Sequence, residues 1–365
     1  MRSCYLLDPA SPSLPGLLGR ARTAGLDSVV AKLGAVTPAL LDQVRRHGLR
    51  LYGSFACFRG PDGPRAVDQD GQDWQPMEWY TGVRPNDPAW NARLAARLGA
   101  ALRALPPDAP LDGLLLDFLR WPLHWEVELR PGARPRSASY DEATLRQFAE
   151  RTGLHPPGGG ARAARWIAER HAPEWTAYRT GAVTDAARLL AGTARRARPG
   201  LAVGAFLVPA DGEAGRRTLV GQDSRQLAEF LDLLLPMTYH AILHRDPGWP
   251  ARLTRGLIST AATATVVPVV QTTADAAVLP PAPGPSAPGP SAPGPSADWG
   301  PPIDDSAFTA LLDSTLDAGS GSICLFPAEG LGPGRWTLLC ERLAHHRPPH
   351  HRPPHHPLEG PRRAR

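Results

Sequence analysis

The amino-acid sequence predicts an α/β fold, a single (β/α)8 TIM barrel in which parallel strands alternate with helices around a closed sheet. Short apolar runs alternate along the chain with longer segments whose apolar residues recur three and four positions apart. The stretch LDGLLLDF at residues 111–118 centres on an unbroken apolar run, as in a strand that helices cover on both faces. The length of 365 residues suits one barrel of about 250 residues with insertions.

The predicted strands and helices follow one another in strict alternation. We expect strands in the runs SCYLL, SVVAKL, LRLYGSF, GLLLDF, LAVGAFLV, LDLLLPM, TVVPVVQ and SICLF, at residues 3–7, 28–33, 49–55, 113–118, 201–208, 231–237, 265–271 and 322–326. Helical spacing of apolar residues predicts helices at residues 15–24, 38–47, 88–105, 141–152, 161–198, 224–230 and 304–317. An open doubly wound sheet is the alternative. Because no glycine-rich phosphate loop follows the first strand, the alternation favours the closed barrel.

Two low-complexity segments set the domain organisation. We expect one folded domain over residues 1–344, with an insertion at about residues 279–302 that contains APGPS three times. Proline and glycine at this density predict an extended surface loop on the face formed by the carboxyl ends of the strands. The tail at residues 345–365 repeats HHRPP and is expected to be disordered, with weak capture of a divalent metal by its paired histidines as the alternative.

Charge and composition exclude several classes of protein. The net charge is +5, but the basic residues are scattered over the predicted helices, so we expect no nucleic-acid partner. No run approaches the roughly 20 apolar residues of a membrane helix, and no signal peptide is recognised, so we expect a cytoplasmic protein without a membrane partner. The four cysteines lack metal-ligand spacing, which predicts reduced core thiols and no metal site. No organic cofactor is implied, and the oligomeric state stays open.

The end of the fourth predicted strand carries the strongest candidate for chemistry. Asp117 closes the apolar run, and Arg120 and Trp121 follow it closely. Because the reactive groups of such barrels lie at the carboxyl ends of the strands, Asp117 is the leading catalytic candidate. Arg120 is a candidate for binding a substrate carboxylate or holding Asp117 ionised, with a plain ion pair at the rim as the alternative.

Lys32 is the single lysine among the 40 lysine and arginine residues of the chain. It lies within the apolar second strand, which indicates either a chemical need for it at the mouth of the barrel or a chance survivor whose charge reaches solvent. Aromatic residues are frequent in the loops that follow the third and fourth strands, namely Trp74, Trp79, Tyr80, Trp121 and Trp125. Flat rings beside polar groups suit the faces of sugars, although tryptophans on long loops also serve simply to pack the loop.

Two motifs resemble a known family of barrels. The stretch DGLLLDFLRWP at residues 112–122 is similar to the fourth strand of glycoside hydrolases of the glycosyl-hydrolase-like family 10 type. The stretch DLLLPMTYH at residues 232–240 resembles the sixth strand of that family, and Gly221-Gln222-Asp223 is a weaker match. The resemblance implies a TIM barrel that cleaves glycosidic bonds. It covers roughly residues 111–326 and indicates no particular substrate.

The fourth strand also resembles that of family 18 chitinases, with a decisive departure. Their ladder of acids would place its last three members at Leu115, Asp117 and Leu119, so two of the three acids, including the proton donor, are missing here. Chitinase chemistry is therefore not expected. The sixth strand, with Met237 and Tyr239, keeps the appearance of that superfamily.

Glycoside hydrolysis commonly needs a second carboxyl besides Asp117. We favour Asp223, which follows the fifth strand, although an aspartate directly before a helix is also a good N-cap. The other candidates are Glu126, Glu128, Asp8 and Glu329, which all lie at or after strand ends.

Three further residues end the sixth and seventh strands and are candidates for binding sugar hydroxyls. They are Tyr239, His240 and Gln271. A single histidine at a strand end is more often structural than catalytic. Gln271 stands where many retaining barrels carry their glutamate nucleophile, which argues against their double-displacement arrangement.

The sequence therefore predicts a glycoside hydrolase that acts on an unidentified glycan through Asp117 and Asp223, with Lys32, Arg120, Trp121, Tyr239, His240 and Gln271 binding the substrate. A barrel that binds carbohydrate without cleaving it is the first alternative, and the glutamine at the seventh strand favours it. A lyase or isomerase that uses Lys32 as a Schiff-base or proton-transfer residue is the second.

Overall fold

The predicted barrel is confirmed. The computed structural model describes residues 1–76, 80–107, 111–261, 263–279 and 298–346. Its strands are β1 (Arg2–Tyr5), β2 (Ser28–Lys32), β3 (Arg50–Ala56), β4 (Gly113–Asp117), β5 (Ala202–Leu207), β6 (Leu233–Thr238), β7 (Thr265–Val266), β8 (Val269–Gln271) and β9 (Ile323–Phe326). All neighbouring strands are parallel in the order β5-β4-β3-β2-β1-β9-β8-β6-β7, and pairing of β5 with β6 closes the sheet. Both β7 and β8 pair with β6, so they form one interrupted seventh strand.

Helices connect successive strands around the outside of the barrel. They are α1 (Leu14–Thr23), α2 (Pro38–Arg46), α3 (Pro88–Ala104), α4 (Trp125–Glu128), α5 (Glu142–Thr152), α6 (Gly160–Arg170), α7 (Ala172–Ala197), α8 (Gly212–Val220), α9 (Ser224–Ala228), α10 (Trp249–Thr260), α11 (Asp305–Leu316) and α12 (Pro333–His345). The single helix predicted at residues 161–198 is two helices that meet at His171. Pro173 explains the break, because proline has no N–H to continue α6 and suits the first turn of α7.

Alternation along each strand divides the core into two layers. Outward residues such as Val29 and Leu114 pack against the helices, whereas Val30, Leu115 and Phe206 belong to the cluster inside the barrel. Leu115 points inward, so the same parity turns Asp117, two residues later, toward the barrel axis. The fold thus delivers the carboxyl to the mouth of the barrel.

The register of the strands places Lys32 on the same end of the barrel as Asp117. Lys32 lies opposite Ser54 on β3, and Ala56, two residues farther along β3, lies opposite Asp117. Both charged residues are the last of their strands. They therefore share the face on which the carboxyl ends of the strands meet.

The cysteines, the low-complexity segments and the length of the helices were also the subject of predictions. The cysteines Cys4, Cys57, Cys324 and Cys340 are free thiols, as predicted, and Cys324 pairs in register with Ser3 across β9 and β1. The APGPS repeats, most of the predicted insertion and nearly all of the tail lie outside the described residues. Among the described helices, none is long and apolar enough to cross a membrane.

Candidate active site

Asp117 occupies a sharp turn at the end of β4. Its Oδ1 accepts a hydrogen bond from the backbone N–H of Phe118 at 2.8 Å. Phe118 has φ +50°, in the left-handed region that bulky residues rarely adopt. Such strain, of order 1–3 kcal/mol, persists where the surroundings hold it and is concentrated at functional sites. The turn fixes the carboxyl on the inner face of the barrel, where it is half-buried.

The electrostatic surroundings of Asp117 act in opposite directions. Burial raises the pKa of its carboxyl because the charged form loses hydration, and this effect outweighs the others. The Phe118 N–H and the positive charges of Arg120, Arg59 and Lys32 lower the pKa, in that order of size. The net shift is upward, so Asp117 keeps its proton to a higher pH than an exposed aspartate does. A carboxyl in this state suits the role of a proton donor.

Aromatic rings and guanidinium groups form one wall beside Asp117. The rings of Tyr80 and Phe118 stack with centroids 5.4 Å apart. The guanidinium of Arg120 lies 4.2 Å from the centroid of Tyr80 and 5.8 Å from that of Phe118, and Arg59 also lies 5.8 Å from Phe118. Arg120 is buried and donates from Nη1 to the carbonyl of Leu123 at 2.6 Å. Cation–π contacts thus hold two positive charges at the mouth.

A second group of rings lies at the carboxyl ends of β1, β6 and β9. Tyr239 stacks on Phe326 with centroids 4.9 Å apart, and Trp125 lies 5.6 Å from Tyr239. Tyr5 meets Phe326 edge to face at 5.5 Å. Burial raises the pKa of Tyr239, and the negative charges of Asp117 and Glu126 raise it further. The charges of both acids therefore reach this second group of rings.

Asp223, the acid that we favoured as the second carboxyl, already has structural partners. Its Oδ1 accepts from the backbone N–H of Arg225 at 3.0 Å and of Gln226 at 3.1 Å, so it caps α9. Its Oδ2 pairs with Arg217 Nε at 3.1 Å. Asp117 is not among its contacts. These contacts favour the N-cap alternative, and a catalytic role for Asp223 remains a prediction.

Three of the other candidate acids also have partners of their own. Glu128 pairs with Arg136, Nε to Oε1 at 2.9 Å, and burial raises the pKa of its carboxyl. Glu329 Oε1 accepts from the backbone N–H of Leu7 at 2.9 Å and of Asp8 at 3.1 Å, joining the ends of β9 and β1. Asp8 itself accepts locally from the N–H of Ala10.

Glu126 is the candidate acid whose charge acts on the same phenol, Tyr239, as the charge of Asp117. It lies on α4, is buried, and its charge acts on the phenols of both Tyr80 and Tyr239. Since the charge of Asp117 acts on Tyr239 as well, Tyr239 lies within the influence of both carboxyls. Glu329 shares a ring with Asp117 in the same way, because the charges of both act on the phenol of Tyr5. The sequence indicated Glu126 without favouring it, because a four-residue helix leaves no readable period.

Two of the expected binding residues have structural contacts instead. Trp121 is fully buried in the layer between strands and helices and donates from Nε1 to the carbonyl of Arg179 at 2.9 Å. Gln271 is fully buried; its Oε1 accepts from the N–H of Ile242, and its Nε2 donates to two carbonyls. Both side chains are committed to holding the loops of the mouth in place.

The remaining expected residues lie at strand ends. Lys32 is exposed on the mouth. His240 is buried, and burial lowers its pKa to about 4, so its ring is neutral at pH 7. Its Nδ1 has no hydrogen-bond partner within the described ranges. Trp79, one of the loop aromatics, lies outside the described residues.

Sequence reasoning missed Arg59, Tyr5 and Phe326. Arg59 follows β3 in a loop where the aromatic residues are the stronger signal. Tyr5 and Phe326 follow from strand parity, because alternate residues of the first and last strands must point into the barrel. Within the part of the chain that the structure describes, no three His, Cys, Asp or Glu side chains are grouped to hold a metal ion.

Comparisons with known proteins show the fold and no more. No protein-family profile matches the chain, and no curated protein matches it either. Among solved structures, a β-galactosidase of the Antarctic haloarchaeon Halorubrum lacusprofundi has a TM-score of 0.66 at 13% identity, over 95% of this chain and 58% of its own. A β-galactosidase of Marinomonas ef1 has a TM-score of 0.63 at 12% identity, and the match covers 94% of this chain and 59% of the β-galactosidase. The β-galactosidase of Bacillus circulans sp. alkalophilus has a TM-score of 0.59 at 11% identity, and the match covers 94% of this chain and 55% of the β-galactosidase.

These similarities establish that the chain has the barrel fold of glycosidases of known structure. The chain spans less than two thirds of the length of each of the three β-galactosidases. At 11–13% identity, the likeness carries the architecture and not the substrate. The resemblance to the glycosyl-hydrolase-like family 10 type stays a prediction.

Proposed function

We propose that the protein is a glycoside hydrolase in which Asp117 protonates the leaving oxygen of the scissile bond. The observation that carries the proposal is the placement of Asp117 at the end of β4, on the inner face of the barrel, next to the stacked Phe118 and within electrostatic reach of Tyr5 and Tyr239. Burial keeps the carboxyl protonated to a higher pH than usual, which is the state that a general acid requires. Aromatic rings beside polar groups suit the apolar faces of sugar rings.

Glu126 is the second carboxyl of the proposal, in place of Asp223. The charges of both Asp117 and Glu126 act on Tyr239, whereas Asp223 is held by α9 and Arg217. Glu126 would serve as nucleophile or as the base that activates water. A separation of roughly 5 Å between the carboxyls would give retention, and about 6.5–9.5 Å inversion.

The test compares three substitutions that each remove one carboxylate and keep the shape of the side chain. Asp117→Asn and Glu126→Gln remove the proposed pair, and Asp42→Asn removes an exposed carboxylate in the middle of α2. Each purified protein is assayed with a panel of aryl glycosides and oligosaccharides, with product release and binding measured in parallel. We expect turnover in the native protein and in Asp42→Asn, with losses of about 100-fold or more in the other two and binding retained.

One observation favours a second function, that of a barrel that binds carbohydrate without cleaving it. Gln271 fills the position where many retaining barrels carry a glutamate, and its amide is fully engaged with backbone groups. Binding without product release in the native protein would support this function and refute the hydrolase. A Schiff-base enzyme that uses Lys32 has weaker support, because the side chain is exposed and such lysines are activated by desolvation or by a neighbouring cation. Borohydride trapping with a carbonyl substrate tests it.

A further inference from the structure

Three positively charged side chains lie at the end of the barrel that carries Asp117, and within the described residues none of them pairs with a carboxylate in a salt bridge. They are Lys32, Arg59 and Arg120, whose charges all act on the Asp117 carboxyl. Across the described residues, none of the three takes part in an ion pair, although arginines elsewhere form many. We propose that the sugar bound at this mouth carries an anionic group, a carboxylate or a sulfate ester, which these cations hold. The inference rests on the proposed function and names its substrate class.

Arg120 provides the strongest argument. It is 2% exposed, and it contacts the Leu123 carbonyl and the rings of Tyr80 and Phe118. A buried guanidinium without a counter-ion is costly, because rings and a carbonyl replace only part of its hydration. An anionic ligand would supply the missing counter-charge.

Two other buried arginines show how the chain compensates such a charge elsewhere. Arg216 forms a close ion pair with Glu213. Arg179 donates to the carbonyls of Thr218 and Leu219, away from the mouth. Within the described part of the chain, Arg120 has neither a carboxylate nor a second carbonyl, and it lies beside the proposed catalytic acid.

Protonation of Asp117 changes the charge balance at the mouth. Glu128 is paired with Arg136, whereas Glu329 accepts two backbone N–H bonds through Oε1 and keeps its charge. The charges of Lys32, Arg59 and Arg120 all act on the Asp117 carboxyl. When Asp117 carries the proton that it donates, it no longer offsets them. The reaction therefore leaves these cations with less opposing charge, which an anionic substrate would supply.

Lys32 is placed to contact a ligand directly. It is exposed at the end of β2 and shares the carboxyl end of the barrel with Asp117. An ammonium group on a flexible stem is a compact point charge that can follow a carboxylate or sulfate entering from solvent. Lys32 and Arg59 are also less buried than Arg120, so they can be changed with less risk to folding.

The experiment compares ligands that differ only in charge. Binding of 4-nitrophenyl glucuronide, the 6-sulfate of 4-nitrophenyl glucoside, and neutral 4-nitrophenyl glucoside is measured by calorimetry in both anomers, together with the matching galactose set. The proteins are the native chain, Lys32→Gln, Arg59→Gln, and Arg46→Gln as a control on the exposed face of α2. We expect at least tenfold tighter binding of one anionic ligand than of its neutral partner. We expect each mouth variant to reduce that ratio severalfold, and Arg46→Gln to leave it unchanged.

The outcomes separate this inference from the proposed function. Preference for the glucuronide or for the sulfate identifies which anion is held, and binding without cleavage would keep the inference while refuting the hydrolase. Cleavage of neutral glycosides with no preference for charge would keep the hydrolase and overturn the inference. An anionic preference that survives in both mouth variants, or no binding of any anionic ligand, would overturn it as well.

Discussion

Gln222 offers a sharp test of whether the Gly-Gln-Asp stretch before α9 is structural or catalytic. The side chain is fully buried. Its Oε1 accepts from the N–H of Val208 at 2.8 Å, and its Nε2 donates to the carbonyls of Leu119 and Phe206, both at 3.0 Å. One amide therefore joins the loop after β4 to the end of β5. This position gives it no role in handling substrate.

Gln222→Met keeps the length of the side chain and removes all three hydrogen bonds. At about 1 kcal/mol for each hydrogen bond, the free energy of unfolding should fall by about 3 kcal/mol. The loss is larger if the backbone groups that lose their partner are not reached by water. Unfolding entropy of about 2.1 cal/mol/K per residue gives roughly 0.8 kcal/mol/K for the 365 residues of this chain, so Tm should fall by about 4 °C. We expect the turnover rate to change less than twofold at temperatures where the variant is folded.

The chain contains its own control for this substitution. Gly71-Gln72-Asp73 repeats the same three residues on the surface, where Gln72 is exposed. Gln72→Met should shift the free energy of unfolding by less than about 0.5 kcal/mol. Both variants are measured by urea and thermal unfolding and by activity. Unchanged stability with lost activity in Gln222→Met would refute the structural explanation of the motif.

Three further predictions concern the same end of the barrel. Gly221→Ala should lower the free energy of unfolding by more than about 1 kcal/mol, as measured by urea unfolding. Gly221 has φ +70°, and a Cβ at this position would lie 2.7 Å from Trp121 Cδ1. Asp223→Ala should lower the free energy of unfolding by about 1 kcal/mol through loss of the α9 cap, with the turnover rate retained. A fall in turnover rate of about two orders of magnitude at unchanged stability would instead support Asp223 as the second acid. Asp117→Asn should stabilise the protein at neutral pH, because the raised pKa means that burying the ionised carboxyl costs free energy. That gain should shrink as pH falls toward the ordinary pKa of aspartate, where the folded and unfolded states are both protonated; urea unfolding across pH 3–8 measures it, and a gain that is independent of pH would contradict the assigned shift.

The sequence predicted the architecture well, because the period of apolar residues is a local signal. All eight strand positions were located, and the GLLLDF run placed Asp117 at the strand end where the structure has it. The helix at α9 was predicted, whereas α4, α8, α10 and α12 were not. The four residues of α4 are too few to carry a helical period. Pro173 indicates the break between α6 and α7 at His171. One continuous helix was predicted because the apolar residues keep helical spacing on both sides of the break.

The candidate site was harder to predict, because chain position does not determine where a side chain points. Asp223 and Glu126 both follow strands on the expected face. Only the fold shows that Asp223 caps α9 and that the charge of Glu126 acts on Tyr239. Trp121 likewise follows Arg120 directly, yet it turns into the outer layer and Arg120 into the mouth. Contacts across loops, and not sequence spacing, decide these directions.

The most direct measurement is the dependence of cleavage rate on the leaving group, in the native protein and in Asp117→Asn. The account predicts that the variant loses at least about 100-fold in catalytic efficiency for glycosides with poorly acidic leaving groups, which need a proton in the transition state. It predicts a much smaller loss for dinitrophenyl glycosides, whose leaving group departs as an anion. An equal loss for all leaving groups, no loss, or no cleavage by the native protein would contradict the assignment of Asp117 as the general acid.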